Sequence, residues 1–309
     1  MGSLPAIAAL AALIPAGALA ATCGGHGARE TMFVTTQWLA DHAKDKNLVV
    51  LAVGTDEKAF EAEHIPGSLF FNYHDSHDMK SPTGLAVELL PMPDLAKNFA
   101  KYGIGNDSRI VLYYLTNLWW SQTARVYLTL DAMGLGPQTS LLDGSMKAWK
   151  AEGRPTTTGP TPTPTPGKLE PCAQTDVIAN LDYVKNHLHS AGTRILDARD
   201  PKVYSGENER AGISAGHIEG AGNVFYNNLV DDLGKLKPTG DLQKMFTDAG
   251  VKTGDRVVTY CFIGQQASAL YTVARYLGYD ARLYDGSMDE WTKHPELPIE
   301  NPYKKAQRQ

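Results

Sequence analysis

The sequence predicts an α/β protein made of two similar units in tandem, each a mostly parallel central sheet with helices on both faces. Three observations carry this. Short β-branched runs alternate with segments of helical spacing, the pattern of a parallel sheet wrapped by helices. Four signatures recur in the same order in the two halves. A Pro/Thr-rich stretch separates those halves.

The chain opens with a short apolar run, Leu4 to Ile14, followed by Ala18-Leu19-Ala20, a small-x-small cleavage pattern. The run is too short to cross a bilayer as a helix, and no Lys or Arg precedes Arg29 to form the usual positive flank. Residues 1–20 are read as a secretory signal peptide, which implies export to the periplasm and no stable membrane insertion after cleavage. Lipid attachment at Cys23 is the weaker alternative, because Ala20-Ala21-Thr22 makes a poor attachment box.

The first unit spans residues 31–153, a linker 154–172, and the second unit 173–300. The repeat defines them. Leu142-Asp-Gly-Ser-Met-Lys-Ala-Trp149 matches Tyr284-Asp-Gly-Ser-Met-Asp-Glu-Trp291. His64-Ile-Pro-Gly-Ser68 matches His217-Ile-Glu-Gly-Ala221, and Arg109 to Tyr114 matches Arg256 to Cys261. Trp38-Leu39 corresponds to Tyr183-Val184. Between the copies, alternating prolines from Pro155 to Pro166 favour an extended chain with no core of its own.

In the second unit, helices are expected at about Leu181–Ser190, Leu242–Ala249 and Ala267–Leu277, the last stopping at Gly278. Strands are expected at Arg194–Ala198, Arg256–Tyr260 and Ala281–Tyr284. A hydrophobic fraction of 43% fills two cores, and a net charge of -5 without a basic stripe gives no sign of nucleic-acid binding. Three cysteines are too few for a disulfide scaffold. In an exported protein Cys23 and Cys172, each standing before one unit, could pair and leave Cys261 free.

Cys261 stands where a buried strand gives way to a helix, with Gly264 in the turn between. Ligands in parallel sheets sit off the carboxyl ends of the strands. The unpaired N–H groups and positive dipole end of the helix favour a thiolate and would cradle an anion on its sulfur. The competing reading is an inert, buried thiol.

Tandem units with His-Ile-x-Gly turns, Asp-Gly-Ser-x-x-x-Trp endings and a Cys-x-x-Gly loop before a helix resemble the rhodanese family of sulfurtransferases. The resemblance covers residues 33–153 and 176–299. It implies two rhodanese-like domains, a single site on Cys261 in the second, and no cofactor or metal. It further implies transfer of a sulfane sulfur from thiosulfate or 3-mercaptopyruvate to cyanide, a thiol or a partner protein, through a Cys261 persulfide. The loop would comprise Phe262, Ile263, Gly264, Gln265, Gln266 and Ala267, with Asp197 and Ser268 in support. Arg199 and Arg210 would bind the donor; Arg210 falls in Arg-Ala-Gly-Ile-Ser-Ala-Gly-His217, similar to the pattern of mercaptopyruvate-using members. Thiosulfate-specific members carry basic residues directly after the cysteine, where Phe262 and Ile263 stand here, so the donor stays open.

The first unit departs from this pattern: Tyr114 replaces Cys261, and Val53 and Thr55 align with Asp197 and Arg199, which makes it a structural partner. Trp119 and Trp120 either cover its cleft or pack its core. The alternative function is a non-catalytic sulfur carrier or binding module acting with a partner protein. A Cdc25-like phosphatase is disfavoured because Ala267 stands where an arginine must clamp phosphate.

Overall fold

The computed structural model describes residues 25–79, 81–116, 120–208 and 216–307. The first half holds a parallel sheet of five strands in the order Phe33–Val34, Thr139–Leu142, Arg109–Tyr114, Leu48–Gly54, Leu69–Asn72. The second half holds the same arrangement: Ile178–Ala179, Asp280–Tyr284, Arg256–Tyr260, Thr193–Asp197, Gly222–Asn223. Each sheet is buried on both faces, so its central strands are nearly continuous Val, Ile, Leu and Tyr.

Side chains alternate across each sheet and sort into separate cores. Leu51, Val53, Leu112 and Tyr114 of the first sheet share one core with Leu196, Val257 and Cys261 of the second. That shared core lies between the two units, where the helices Trp120–Ala132 and Gln265–Tyr276 pack on each other. The outer faces are covered separately. Thr36–His42, Glu57–Ala62 and Ser145–Ala151 supply Leu39, Phe60 and Trp149 to one; Leu181–His187 and Ser287–Trp291 supply Val184 and Trp291 to the other.

The repeated motifs have repeated physical causes. Tyr113 and Tyr260 each use the phenol oxygen to accept the isoleucine N–H of a His-Ile turn, at 3.2 and 3.0 Å. His64 stacks on Phe60 and His217 on Tyr204, and each ring donates from Nδ1 to the carbonyl of the residue it covers. Their presence in both units is therefore accounted for by packing. Trp149 and Trp291 donate to the carbonyls of Pro155 and Pro298, which closes each unit.

The helix expected from Ala267 begins two residues earlier, at Gln265. Gly264 in the left-handed region, φ 79°, ends the loop abruptly, and the two glutamines are good helix formers that occupy the first turn. The Pro/Thr linker has no core of its own but is pinned to the first unit. Thr157 pairs with His64, Thr161 Oγ1 accepts the Phe70 N–H, and Gly167 donates to the Ala100 carbonyl.

A second tie joins the units at the start of the described chain. His26 bridges Asp131 and Asp176, each at 3.1 Å, while Tyr271 of the second unit donates to Asp131 at 2.6 Å. Cys172 is disulfide-bonded and Cys261 is free. Cys23 and the expected signal peptide lie outside the described residues. Among the described residues no helix is long and apolar enough to cross a membrane.

Candidate active site

Cys261 follows the last residue of the strand Arg256–Tyr260 and is only 1% exposed. Its N–H donates to Ser287 Oγ at 3.1 Å, and its carbonyl accepts the Met288 N–H. The Phe262 carbonyl accepts the Asp289 N–H, so the loop is fastened at two points to the Asp-Gly-Ser turn. Ser287 itself adopts φ 49° and donates to the Tyr284 carbonyl at 2.9 Å. Gly264 closes the loop, where an added Cβ would stand 2.9 Å from Asp285 Oδ1. Ser268 donates back to the Gly264 carbonyl and holds the first helical turn.

The backbone N–H groups of Ala267, Ile263 and Gln266 converge on the Cys261 sulfur. Burial nevertheless pushes the thiol above the ordinary cysteine range; the three amides pull it down without cancelling that, and the Asp197 carboxylate adds to the rise. The loop geometry is the one expected from the sequence. Burial of the sulfur thus opposes the thiolate that the amides favour.

The cysteine opens on a cleft of about 390 Å³. Phe225, Tyr226, Phe262 and Ile263 form its apolar walls; Asp200, Asn208, Gln265 and Gln266 provide its polar groups. Burial raises the Tyr226 phenol, so it stays protonated at neutral pH.

Asp197 and Arg199 act as one unit. Arg199 Nε and Nη2 engage the two Asp197 oxygens at 2.6–3.1 Å, and Nη2 also donates to the Gly216 carbonyl. Burial opposes the guanidinium charge, yet Asp197 outweighs it and holds the Arg199 pKa above its ordinary value. Arg199 lines the cleft, but these N–H groups are committed to the protein. Arg210 lies outside the described residues, as does Trp119. Trp120 is buried in the shared core.

In the first unit, Tyr114 takes the place of Cys261: its N–H donates to Ser145 Oγ at 2.5 Å, and Ser145 adopts φ 52°. The Tyr114 ring lies in the shared core, and its hydroxyl donates across the interface to the Gly234 carbonyl at 3.0 Å. Sheet register corrects the alignment of the acidic partner. Asp197 pairs with Tyr260, and Ala52 pairs with Tyr113, so Ala52 and Gly54, one residue before Val53 and Thr55, stand where Asp197 and Arg199 do. The conclusion survives the shift, because neither residue is charged.

Sequence reasoning missed the contribution of the first unit to the second unit's loop. Tyr73 donates to Gln265 Oε1 at 3.2 Å, and Gln265 Nε2 donates to Ser121 at 3.1 Å. Gln265 is thus held from across the interface. Ser287 could have been found, since Asp-Gly-Ser recurs; Tyr73 and Ser121 carry no such signal.

The comparisons with known proteins agree with this geometry. The Rhodanese-like domain family matches residues 35–152 and 180–294. The sulfur carrier protein TtuD of Thermus thermophilus is 29% identical over 285 residues, covering 88% of this chain and 97% of that protein. A Mycobacterium tuberculosis relative named "Putative thiosulfate sulfurtransferase SseB" is 30% identical over 244 residues, covering 78% of this chain and 84% of the relative. Among solved structures, SseA from Escherichia coli, titled as a 3-mercaptopyruvate sulfotransferase, aligns with a TM-score of 0.72 at 24% identity, covering 83% of this chain and 98% of that one. Two copies of one sheet order, a cysteine loop in the second, and a family match over both copies lead to one assignment: the chain belongs to the rhodanese family, with two rhodanese-like domains.

Proposed function

We propose that this protein is a sulfurtransferase that carries a sulfane sulfur as a persulfide on Cys261. The observation behind this reading is the ring of Ala267, Ile263 and Gln266 amides around a lone buried thiol that faces a cleft. Cys261 first loses its proton to solvent. The thiolate then attacks the outer sulfur of the donor; the new S–S bond forms as the donor's bond to that sulfur breaks, and the remainder departs with the electron pair. That remainder is sulfite from thiosulfate, or the enolate of pyruvate from 3-mercaptopyruvate, which takes a proton from water. The loop amides stabilise the anionic outer sulfur. Cyanide or a thiol then attacks this sulfur and releases the Cys261 thiolate, a covalent two-step cycle. Asp197 and Arg199 keep the cleft wall in place, and Arg210 is proposed to contact the donor's carboxylate or sulfonate.

The test is intact mass and peptide mapping after separate incubation with thiosulfate and 3-mercaptopyruvate, with Cys261→Ser as control. One added sulfur on the Cys261 peptide, released by cyanide as thiocyanate, is the expected result. No added sulfur from either donor, on folded protein with a free thiol, would sink the reading. A second reading, a sulfur carrier serving a partner protein, is favoured by the likeness to the carrier protein of Thermus thermophilus. It predicts stoichiometric loading without repeated turnover on cyanide or small thiols. We further propose export to an oxidising compartment, supported by the disulfide-bonded state of Cys172.

A further inference from the structure

The first domain lacks a nucleophile, yet one of its charges lies behind the Cys261 loop. Arg125, inside the helix Trp120–Ala132, is fully buried. Its Nη2 lies 2.6 Å from Asp285 Oδ1 and donates to the Val87 carbonyl at 2.5 Å. Nε and Nη1 have no hydrogen-bond partner among the described residues. Nη1 stands 3.2 Å from where a Cβ on Gly264 would be, against the back of the loop. Asp285 belongs to the Asp-Gly-Ser turn whose Ser287 takes the Cys261 N–H. A buried charge with unpaired N–H groups is costly, and removing one partner of a buried pair strands the other.

We propose that Arg125 is a positioning residue for the Cys261 loop, offsetting the Asp285 charge beneath Gly264 so that an anion can form at the sulfur. This rests on Cys261 being the reacting group. Without the guanidinium, a largely buried carboxylate, 13% exposed, would face the loop and oppose a second negative charge there. Other groups set the background. Asp197, Arg199, Tyr226 and Tyr73 act on or feel Cys261; Glu88 faces Asp285; Tyr73 and His77 face Arg125. Burial raises the Asp285 carboxyl while Arg125 pulls it down, so the pair answers to the loss of either member.

The experiment is the pH profile of Cys261 alkylation by iodoacetamide, which reads the thiolate directly and does not depend on sulfur loading. Arg125→Met should raise the midpoint by roughly one unit, the low end for a neighbouring charge. Adding Asp285→Asn to it should bring the midpoint back. Asp285→Asn alone, close in shape to the parent, should lower the midpoint, and it keeps the test available if Arg125→Met does not fold. Arg125→Lys should hold the parent midpoint even if melting temperature falls. An unchanged midpoint in both Arg125→Met and Asp285→Asn overturns the proposal and leaves Arg125 a packing residue. Loss of thermal stability with a constant midpoint has the same meaning.

Discussion

Ser287 and Ser145 offer a matched pair of perturbations, because the same turn was built twice and only one copy carries a cysteine. Each serine is fully buried, sits at positive φ, accepts the N–H of the strand-end residue and donates to a carbonyl. Replacing either by alanine removes two hydrogen bonds and strands a buried N–H, a loss of about 2–4 kcal/mol. The fall in melting temperature is then roughly 5–15 °C. Glycine in place of alanine should recover about 1–2 kcal/mol, since it relieves the left-handed strain. Function should separate the two. Ser287→Ala loosens the anchor of Cys261, and a displacement near 1 Å at a reacting atom slows chemistry on the order of a hundred-fold. Ser145→Ala loosens only Tyr114, which carries no thiol, and should leave loading within about twofold of the parent, a change in barrier below about 0.5 kcal/mol. The assay is single-turnover sulfur loading from thiosulfate and from 3-mercaptopyruvate, at a temperature where both variants are folded. Equal slowing by the two substitutions would show that general stability, not the anchor, controls Cys261, and the reasoning would fail.

Two further outcomes follow from the asymmetry of the domains and from the clasp at the start of the described chain. Tyr114→Phe should cost about 1 kcal/mol, one interdomain hydrogen bond, in denaturant unfolding. Tyr114→Cys should not create a second sulfur-loading site, because Ala52 and Gly54 stand where Asp197 and Arg199 do; a second loaded cysteine by peptide mapping would contradict this. The Asp131 hydrogen bond, the largest influence on His26, raises its pKa above 6.5 against burial. A raised pKa contributes stability that is fully present below the unfolded value and fades as pH climbs through the folded one. His26→Gln should therefore lower the melting temperature most at mildly acidic pH, and the gap should close on the alkaline side of neutrality. A gap that is the same at both ends would remove the charge from the account.

The sheet, the duplication and the place of Cys261 were legible because each leaves a local trace. Strands buried on both faces give runs such as Arg256-Val-Val-Thr-Tyr260, and a turn that must hold an N–H with a hydroxyl repeats as Asp-Gly-Ser. The first-domain counterpart of Asp197 slipped by one position, since alternation along a strand of apolar residues contains nothing that marks register; only the pairing of Ala52 with Tyr113 does. The burial cost on the thiol was hidden for a different reason. Helix position reports amides and a dipole, both of which favour charge, whereas the opposing cost is burial by residues distant in sequence. Arg125, Ser121 and Tyr73 were invisible because the contacts they make depend on how two sheets face one another, which no period within either sheet encodes.

The divergence of the two copies follows from where the strand-end side chain points. In both domains it enters the core shared across the interface, so whatever occupies that position interacts with the other domain. In the first domain the occupant is Tyr114, whose hydroxyl reaches the Gly234 carbonyl of the second. Leu89 N–H meets Asp285 as Leu236 N–H meets Asp143, so the counterpart of the Gly234 carbonyl is that of Val87, and it accepts from Arg125 of the neighbouring helix. In the cysteine domain a guanidinium thus stands behind the loop, against Gly264 and Asp285. A copy with a cysteine but no such arginine would leave its largely buried Asp-Gly-Ser acid without that countercharge. On this view the first domain is the rear wall of the Cys261 loop, and separating the two domains should raise the midpoint of Cys261 alkylation as Arg125→Met does, even where the second sheet stays folded.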